Sequence, residues 1–379
     1  MEPTSGPRFD FRPGRPDHSL FPRRAWLSAL RRALAAAPLT ALDYPEARGA
    51  PSARVALAAY LNRSRATVAT ADRMLLCTGF AQGMRLACEA LKARGVRRMA
   101  VEDPGHAYES ADVRASGLEM VPVPVDDHGF RVERLASLDV GAAYVTPAHQ
   151  YPTGAVLSAA RRVALLAWAR KQGAFVLEDD YDGEYRYDRE PVGTLQGLDS
   201  ERVIYIGSAS KILAPALRIG WILSPQSLVG HLTQAKLDAD RGSPGIDQLA
   251  LAEFIERGDL DRHLRRTRLI YRRRRAQLAN ALGIHLPSYP IRGVAAGLHL
   301  ILELPAGADE TAIVTEALRR GIHVHGLKAY KSRPKRAQPA LLLGYCRLSE
   351  ADIREGTKAL ASVIRTQQGK RSVRAAAAV

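Results

Sequence analysis

Long apolar runs are missing from these 379 residues. No stretch of eighteen is apolar throughout, which excludes a membrane-spanning helix. The opening MEPTSGPRFDFRPGRPDHSLF has no apolar centre either, so it reads as a short, extended, proline-rich arm and not as a secretory leader. Cysteine is scarce. Cys77, Cys88 and Cys346 show neither metal-site spacing nor a disulfide framework, which suits a reducing compartment and a cytoplasmic protein. No helix-turn-helix, zinc finger or internal repeat is visible.

What is present is ordinary in bulk and uneven in charge. Apolar residues make up 46% and charged residues 25%, enough for one large domain with a sizeable core and a smaller one beside it. The formal net charge of +16 raises the question of nucleic acid. Most of that charge is arginine spread through helical segments such as RRTRLIYRRRRAQL, where solvated faces account for it. Without a reading module the charge alone is weak ground for DNA binding.

Helical apolar spacing appears near 25–37 and 52–62. From 74 onward short apolar strands alternate with amphipathic helices. MLLC is followed by the helix MRLACEALKARG, RRMAVEDPG by the helix HAYESADVRASG, and AAYVTPAHQYPTG by SAARRVALLAWARKQG, with AFVLEDD and VIYIGSAS as further strands. Strands that are apolar throughout predict a mainly parallel α/β sheet covered on both faces, with ligand groups at the strand carboxyl ends. The reading gives an N-terminal arm and first helix over 1–45 and a large α/β domain over 46–282. A long connecting helix is expected within 245–282. A small α+β domain over 283–367 and a disordered tail over 368–379 follow.

Two stretches carry chemistry. In GSASK, Lys211 stands just past a buried strand among small residues, where an amine loses its charge readily and attacks aldehydes. Ser208, Ser210 and Arg218 offer hydroxyls and a guanidinium fork suited to a phosphate. In EDDYD, Asp179 could hold a protonated ring nitrogen and Tyr181 could donate to a phenolic oxygen. Alone, the first stretch is also compatible with a surface lysine and the second with a metal-binding loop, although no histidine accompanies the acids at ligand spacing.

Taken together, CTGFAQG, VEDPGH, TPAHQYPTG, VLEDDYDGEYRYD and YIGSASKILAPALRIGW resemble fold-type-I, pyridoxal 5′-phosphate (PLP) dependent aminotransferases in order and spacing. The chain is most similar to the aminotransferase-like domain of MocR-type regulators of the GntR family, over roughly residues 8 to 365. The resemblance implies that Lys211 is the Schiff-base lysine, Asp179 pairs with the pyridine nitrogen and Tyr181 contacts the ring hydroxyl. It implies that Ser208 and Arg218 hold the phosphate with the turn Gly79-Phe80-Ala81, at a helix N-terminus. Tyr44 matches a tyrosine that reaches the phosphate from the partner subunit, which implies a homodimer. His106 stands where a ring-stacking tyrosine is usual, and either His149 or Tyr151 takes over a contact to the ring hydroxyl. The arginine that grips the substrate carboxylate would fall at Leu342, which leaves Arg347 as the candidate substitute.

The implied function is an aminotransferase-like PLP enzyme acting on an amino acid or amine, with no metal. Decarboxylation, elimination, racemisation and oxidation share its first steps and remain alternatives. A further alternative is a PLP- and effector-sensing domain. MocR-type regulators carry a winged helix-turn-helix ahead of this domain, and this sequence opens on the domain itself, so DNA binding is not expected of this chain alone.

Overall fold

The computed structural model describes residues 7–106, 115–187, 192–332 and 338–376, with side chains to 369. Fourteen strands lie among them: β1 (Phe9–Asp10), β2 (Met74–Cys77), β3 (Arg98–Asp103), β4 (Glu119–Asp126), β5 (Gly129–Phe130), β6 (Ala142–Val145) and β7 (Phe175–Asp179). They continue with β8 (Val203–Ser208), β9 (Gly220–Leu223), β10 (Ile291–Arg292), β11 (His299–Glu303), β12 (Ile322–His323), β13 (His325–Gly326) and β14 (Ala340–Gly344).

Eight of them form one sheet in the order β2-β9-β8-β7-β6-β3-β4-β5. The β4-β3-β6-β7-β8 run is parallel, and β9 is antiparallel to both its neighbours, β2 and β8. The continuous apolar runs follow from burial on both faces. In β7, Phe175 and Leu177 pack with Met84, Leu86 and Leu91 of the helix Phe80–Ala93. Val176, pointing the other way, packs with Leu165, Leu166 and Ala169 of the helix Ala159–Gln172. That second helix is capped by Ser158, which accepts from the Arg161 amide, and ends at Gly173 in the left-handed conformation.

A second, antiparallel sheet runs β10-β11-β14-β13. The arm is tied to the same end of the chain, because β1 pairs in parallel with β12, and Phe11 is fully buried. This pairing spans more than three hundred residues, and local pattern gives no sign of it.

Some boundaries differ from the sequence reading. The expected long helix is two, Gly245–Glu256 and Asp259–His285, broken at Gly258 with φ +68°. The second runs past 282 to His285. The last helix spans Glu350–Ala376, so residues 368–376 continue it where a disordered tail is expected. Its Ala- and Arg-rich composition favours that extension. Residues 377–379, and most of the helix expected over 106–117, lie outside the described residues.

Candidate active site

Strand register assembles one end of the site. Cys77 of β2 and Ser208 of β8 both lie opposite Gly220 of β9, so the turn after β2 and the loop after β8 meet at one level. Gly220 permits this, since a Cβ there would lie 2.7 Å from the Gly79 Cα. Gly79 itself has φ +99°, and a Cβ on it would lie 3.1 Å from Arg218 Nη2. Both glycines are therefore required by close approach. The helix Phe80–Ala93 begins here, with the unpaired amides of its first turn aimed at the same space. Ser208 Oγ accepts from the Ser210 amide and lies 2.8 Å from Ser210 Oγ.

Lys211 follows on the short helix Ala209–Ile212. Its Nζ donates to the Gly14 carbonyl of the arm at 2.6 Å. Burial lowers the pKa of this amine, and Arg15 adds to the effect, while Asp179 and Asp182 pull the other way. Asp179, at the end of β7, accepts from the Tyr144 hydroxyl at 2.8 Å. Tyr181 is partly buried, its phenol is pushed well above its ordinary pKa by burial and then by Asp182, and its hydroxyl lies 3.0 Å from His149 Nδ1.

These groups enclose a cavity of about 380 Å³ lined by Phe80, Ala81, Asp179, Tyr181, Lys211 and Arg218 among others. Ser208, Ser210, His106, Tyr151, Pro13 and Gly14 complete the wall. The His106 and Tyr151 rings lie 5.2 Å apart, and the Tyr151 hydroxyl donates to Tyr330 at 3.1 Å.

Not every expected residue is at this wall. His149 stands behind Tyr181, bonded to Asp182. Tyr44 is 86% exposed. Arg347 does not line the cavity; its guanidinium is held by Asp10, which also takes two bonds from the Arg12 guanidinium and one from the Arg12 amide. Leu342, where the resemblance places an arginine, is fully buried in a cluster with Tyr151, Leu327 and Ile301 and does not line the cavity.

The remaining acids of EDDYDGEYR have other partners. Glu178 accepts from the amides of Leu195 and Gln196, Asp180 takes a two-pronged bond from buried Arg65, and Glu184 accepts from Tyr60. Sequence reasoning missed Gly14, Tyr144, Asp182 and Lys236. Lys236 is fully buried, and it donates to Gln82, Asp240 and Ser243, fixing the start of the helix Phe80–Ala93. Only Gly14, in RPGRPD, had a local signal.

The family described as aminotransferase class I and II matches residues 14–360. The chain belongs to that family. The chain is 33% identical over 354 residues to YdeL of Bacillus subtilis, named an uncharacterised HTH-type transcriptional regulator, covering 93% of this chain and 76% of that one. It is 30% identical over 346 residues to aromatic-amino-acid aminotransferase 1 of Thermococcus litoralis, covering 87% and 81%. Among solved structures, an archaeal alanine:glyoxylate aminotransferase matches with a TM-score of 0.86 at 27% identity, covering 94% and 91%. The fold is that of the fold-type-I aminotransferases.

PLP is the cofactor of the family, and the cavity fits it. One end combines the Gly79 cradle, a helix N-terminus and a guanidinium, as a phosphate requires. The same lining presents one carboxylate, Asp179, and an amine of lowered pKa, Lys211. Among the described residues no helix is long and apolar enough to cross a membrane.

Proposed function

We propose that this chain is a PLP-dependent enzyme that transfers the amino group of an amino acid to a 2-oxo acid. The observation that carries the reading is the convergence of Lys211, Asp179 and Arg218 on one cavity from three separate strand ends. When bound, the cofactor supplies an electron sink for the bonds at the substrate's α-carbon.

The chain's own groups take complementary parts. Arg218, Ser208, Ser210 and the amides of Phe80 and Ala81 would hold the phosphate. Asp179, steadied by Tyr144, would keep the ring nitrogen protonated through an ion pair. Tyr181 would donate to the ring hydroxyl, and His106 would pack against the ring beside Tyr151. Lys211 would bind the aldehyde, then carry a proton at the α-carbon through Nζ; its lowered pKa suits both tasks. Pro13 and Gly14 of the arm would cover this face and limit water.

Arg347 is not assigned to the substrate carboxylate, because Asp10 already holds it. A homodimer forms part of the proposal. Leu39, Leu42 and Tyr44 are exposed on one segment, and a second copy would cover them while bringing Tyr44 to the partner's phosphate. Light scattering at micromolar concentration tests the dimer.

The catalytic reading is tested by loading the purified chain with PLP, adding amino acids and 2-oxo acids singly, and assaying oxo-acid release. Release that requires Lys211 supports it. A second reading follows from the HTH-type name of the relative above: the same cavity would bind an amine effector without turnover. A spectral change that stops without product would favour that reading.

A further inference from the structure

Behind Tyr181 lie buried groups that the proposed function does not use. His149 is 4% exposed and Asp182 2%. His149 Nδ1 lies 2.9 Å from Asp182 Oδ2 and 3.0 Å from the Tyr181 hydroxyl, so one nitrogen faces two oxygens. A carboxylate oxygen only accepts, so Asp182 settles the proton: Nδ1 carries it and donates. The same N–H also faces the Tyr181 oxygen. That oxygen then accepts from the imidazole, which leaves the phenol's own hydrogen to Asp182, its other bonded neighbour, or to an acceptor in the cavity. Tyr181 lines the cavity and His149 does not, so an oxygen bound in the cavity takes that hydrogen while Asp182 is engaged by His149.

The surroundings hold this arrangement. Gly297 has φ +71°, and a Cβ there would lie 2.2 Å from His149 Cε1 and 2.5 Å from Asp182 Oδ2. The His299 ring stands 5.4 Å from His149, and its Nε2 donates to the Pro152 carbonyl. Burial, and then His149, push the His299 pKa down to about 3, so this second imidazole stays neutral and does not compete for Asp182. The charged and titratable groups that act on Tyr181 are Asp182, Tyr151 and Asp179, with His149 in direct contact.

We infer that Asp182 and His149 are positioning residues that fix the Tyr181 hydroxyl as a hydrogen donor into the cavity, toward the ring hydroxyl oxygen of bound PLP. This rests on the proposed roles of Lys211 and Tyr181. Asp182 sets the tautomer of His149, and His149 sets the direction of the phenol. A hydrogen bond to a charged oxygen shifts the protonation midpoint of its partner system by about one to two pH units.

Two experiments test it. The first titrates the visible absorption of the PLP-loaded chain with pH. Asp182→Asn and His149→Gln are expected to move the midpoint in the same direction as Tyr181→Phe, by about one pH unit. Asp182→Asn is expected to add nothing in the Tyr181→Phe background. Unmoved midpoints in both single variants, or shifts that sum in the double variant, overturn the inference. The second needs no variant and no cofactor: nitrogen-15 shifts of the histidines in the parent chain. His149 protonated on Nδ1 supports the inference, and His149 protonated only on Nε2 overturns it even where a variant fails to fold. If Lys211→Ala leaves the visible band unchanged, the proposed function fails, and the tautomer measurement still decides the His149 arrangement.

Discussion

At the Arg218 end of the cavity, the polar groups come from neighbouring strand ends of the eight-stranded sheet and lie close in the chain. Ser208, Ser210, Lys211 and Arg218 occupy eleven consecutive residues, and the Gly79 turn joins them through strand register. At the Tyr151 end, the wall is drawn from the arm and the loop after β6, held by contacts such as Lys211 to Gly14 and Tyr151 to Tyr330. The first end is rigid sheet chemistry read from short motifs. The second depends on elements far apart in sequence, and Leu342, at the position of the expected arginine, packs there against Tyr151. A chain can keep one end of such a site fixed while the other is rebuilt to change what enters.

The sharpest break in this comparison comes from Lys211→Ala. It should lower single-turnover rates by about a thousandfold or more, through loss of the amine that carries the proton. Stopped-flow absorbance on the loaded enzyme checks it. Next come the adjacent acids Asp179 and Asp180, which point to opposite fates. Arg65→Met strands Asp180 in a buried site and should cost about 3–5 kcal/mol of stability in denaturant melts. Asp179→Asn should leave the melt nearly unchanged while abolishing turnover, and a large stability loss there would merge the two roles.

Arg218→Met should weaken PLP binding by about ten- to a hundredfold, as loss of a charge-assisted contact predicts, measured by fluorescence titration of the apoprotein. The pH dependence of stability is a smaller effect. Burial raises Glu178 to about 7 from 4.5, and Glu184 in the same direction. Folding therefore favours their protonated forms. The stability this contributes is complete below the unfolded value and is lost as pH rises through about 7. Thermal melts should show this decline between about pH 4.5 and 7, and Glu178→Gln should flatten it. Last, Arg347→Ala should change KM for an amino acid less than about twofold and stability by at most about 1 kcal/mol, since its partner Asp10 keeps Arg12. A large KM effect would return Arg347 to the substrate end.

Legibility in the sequence tracked this contrast. Apolar runs placed β2, β3, β6, β7 and β8, because burial on both faces leaves no other composition, whereas β4, β5 and β9 were not read from such runs. The loops that follow them carried Lys211, Asp179, Tyr181 and Arg218. In EDDYDGEYR, however, the acids look alike in the chain, and only packing sends Asp180 to Arg65, Asp182 to His149 and Asp179 to the cavity. The break at Gly258 was hidden because helical spacing continues across it.

By itself, the sequence determined the layered α/β architecture, since periodicity and turn chemistry act over a few residues, and its resemblance to a family singled out the residues proposed for the cofactor. Tertiary structure alone decided which acid faces the cavity, where Arg347 goes and how the arm closes over Lys211. Those outcomes depend on pairings such as Phe9 with Ile322, formed across almost the whole chain, and no local pattern encodes the partner of a distant side chain.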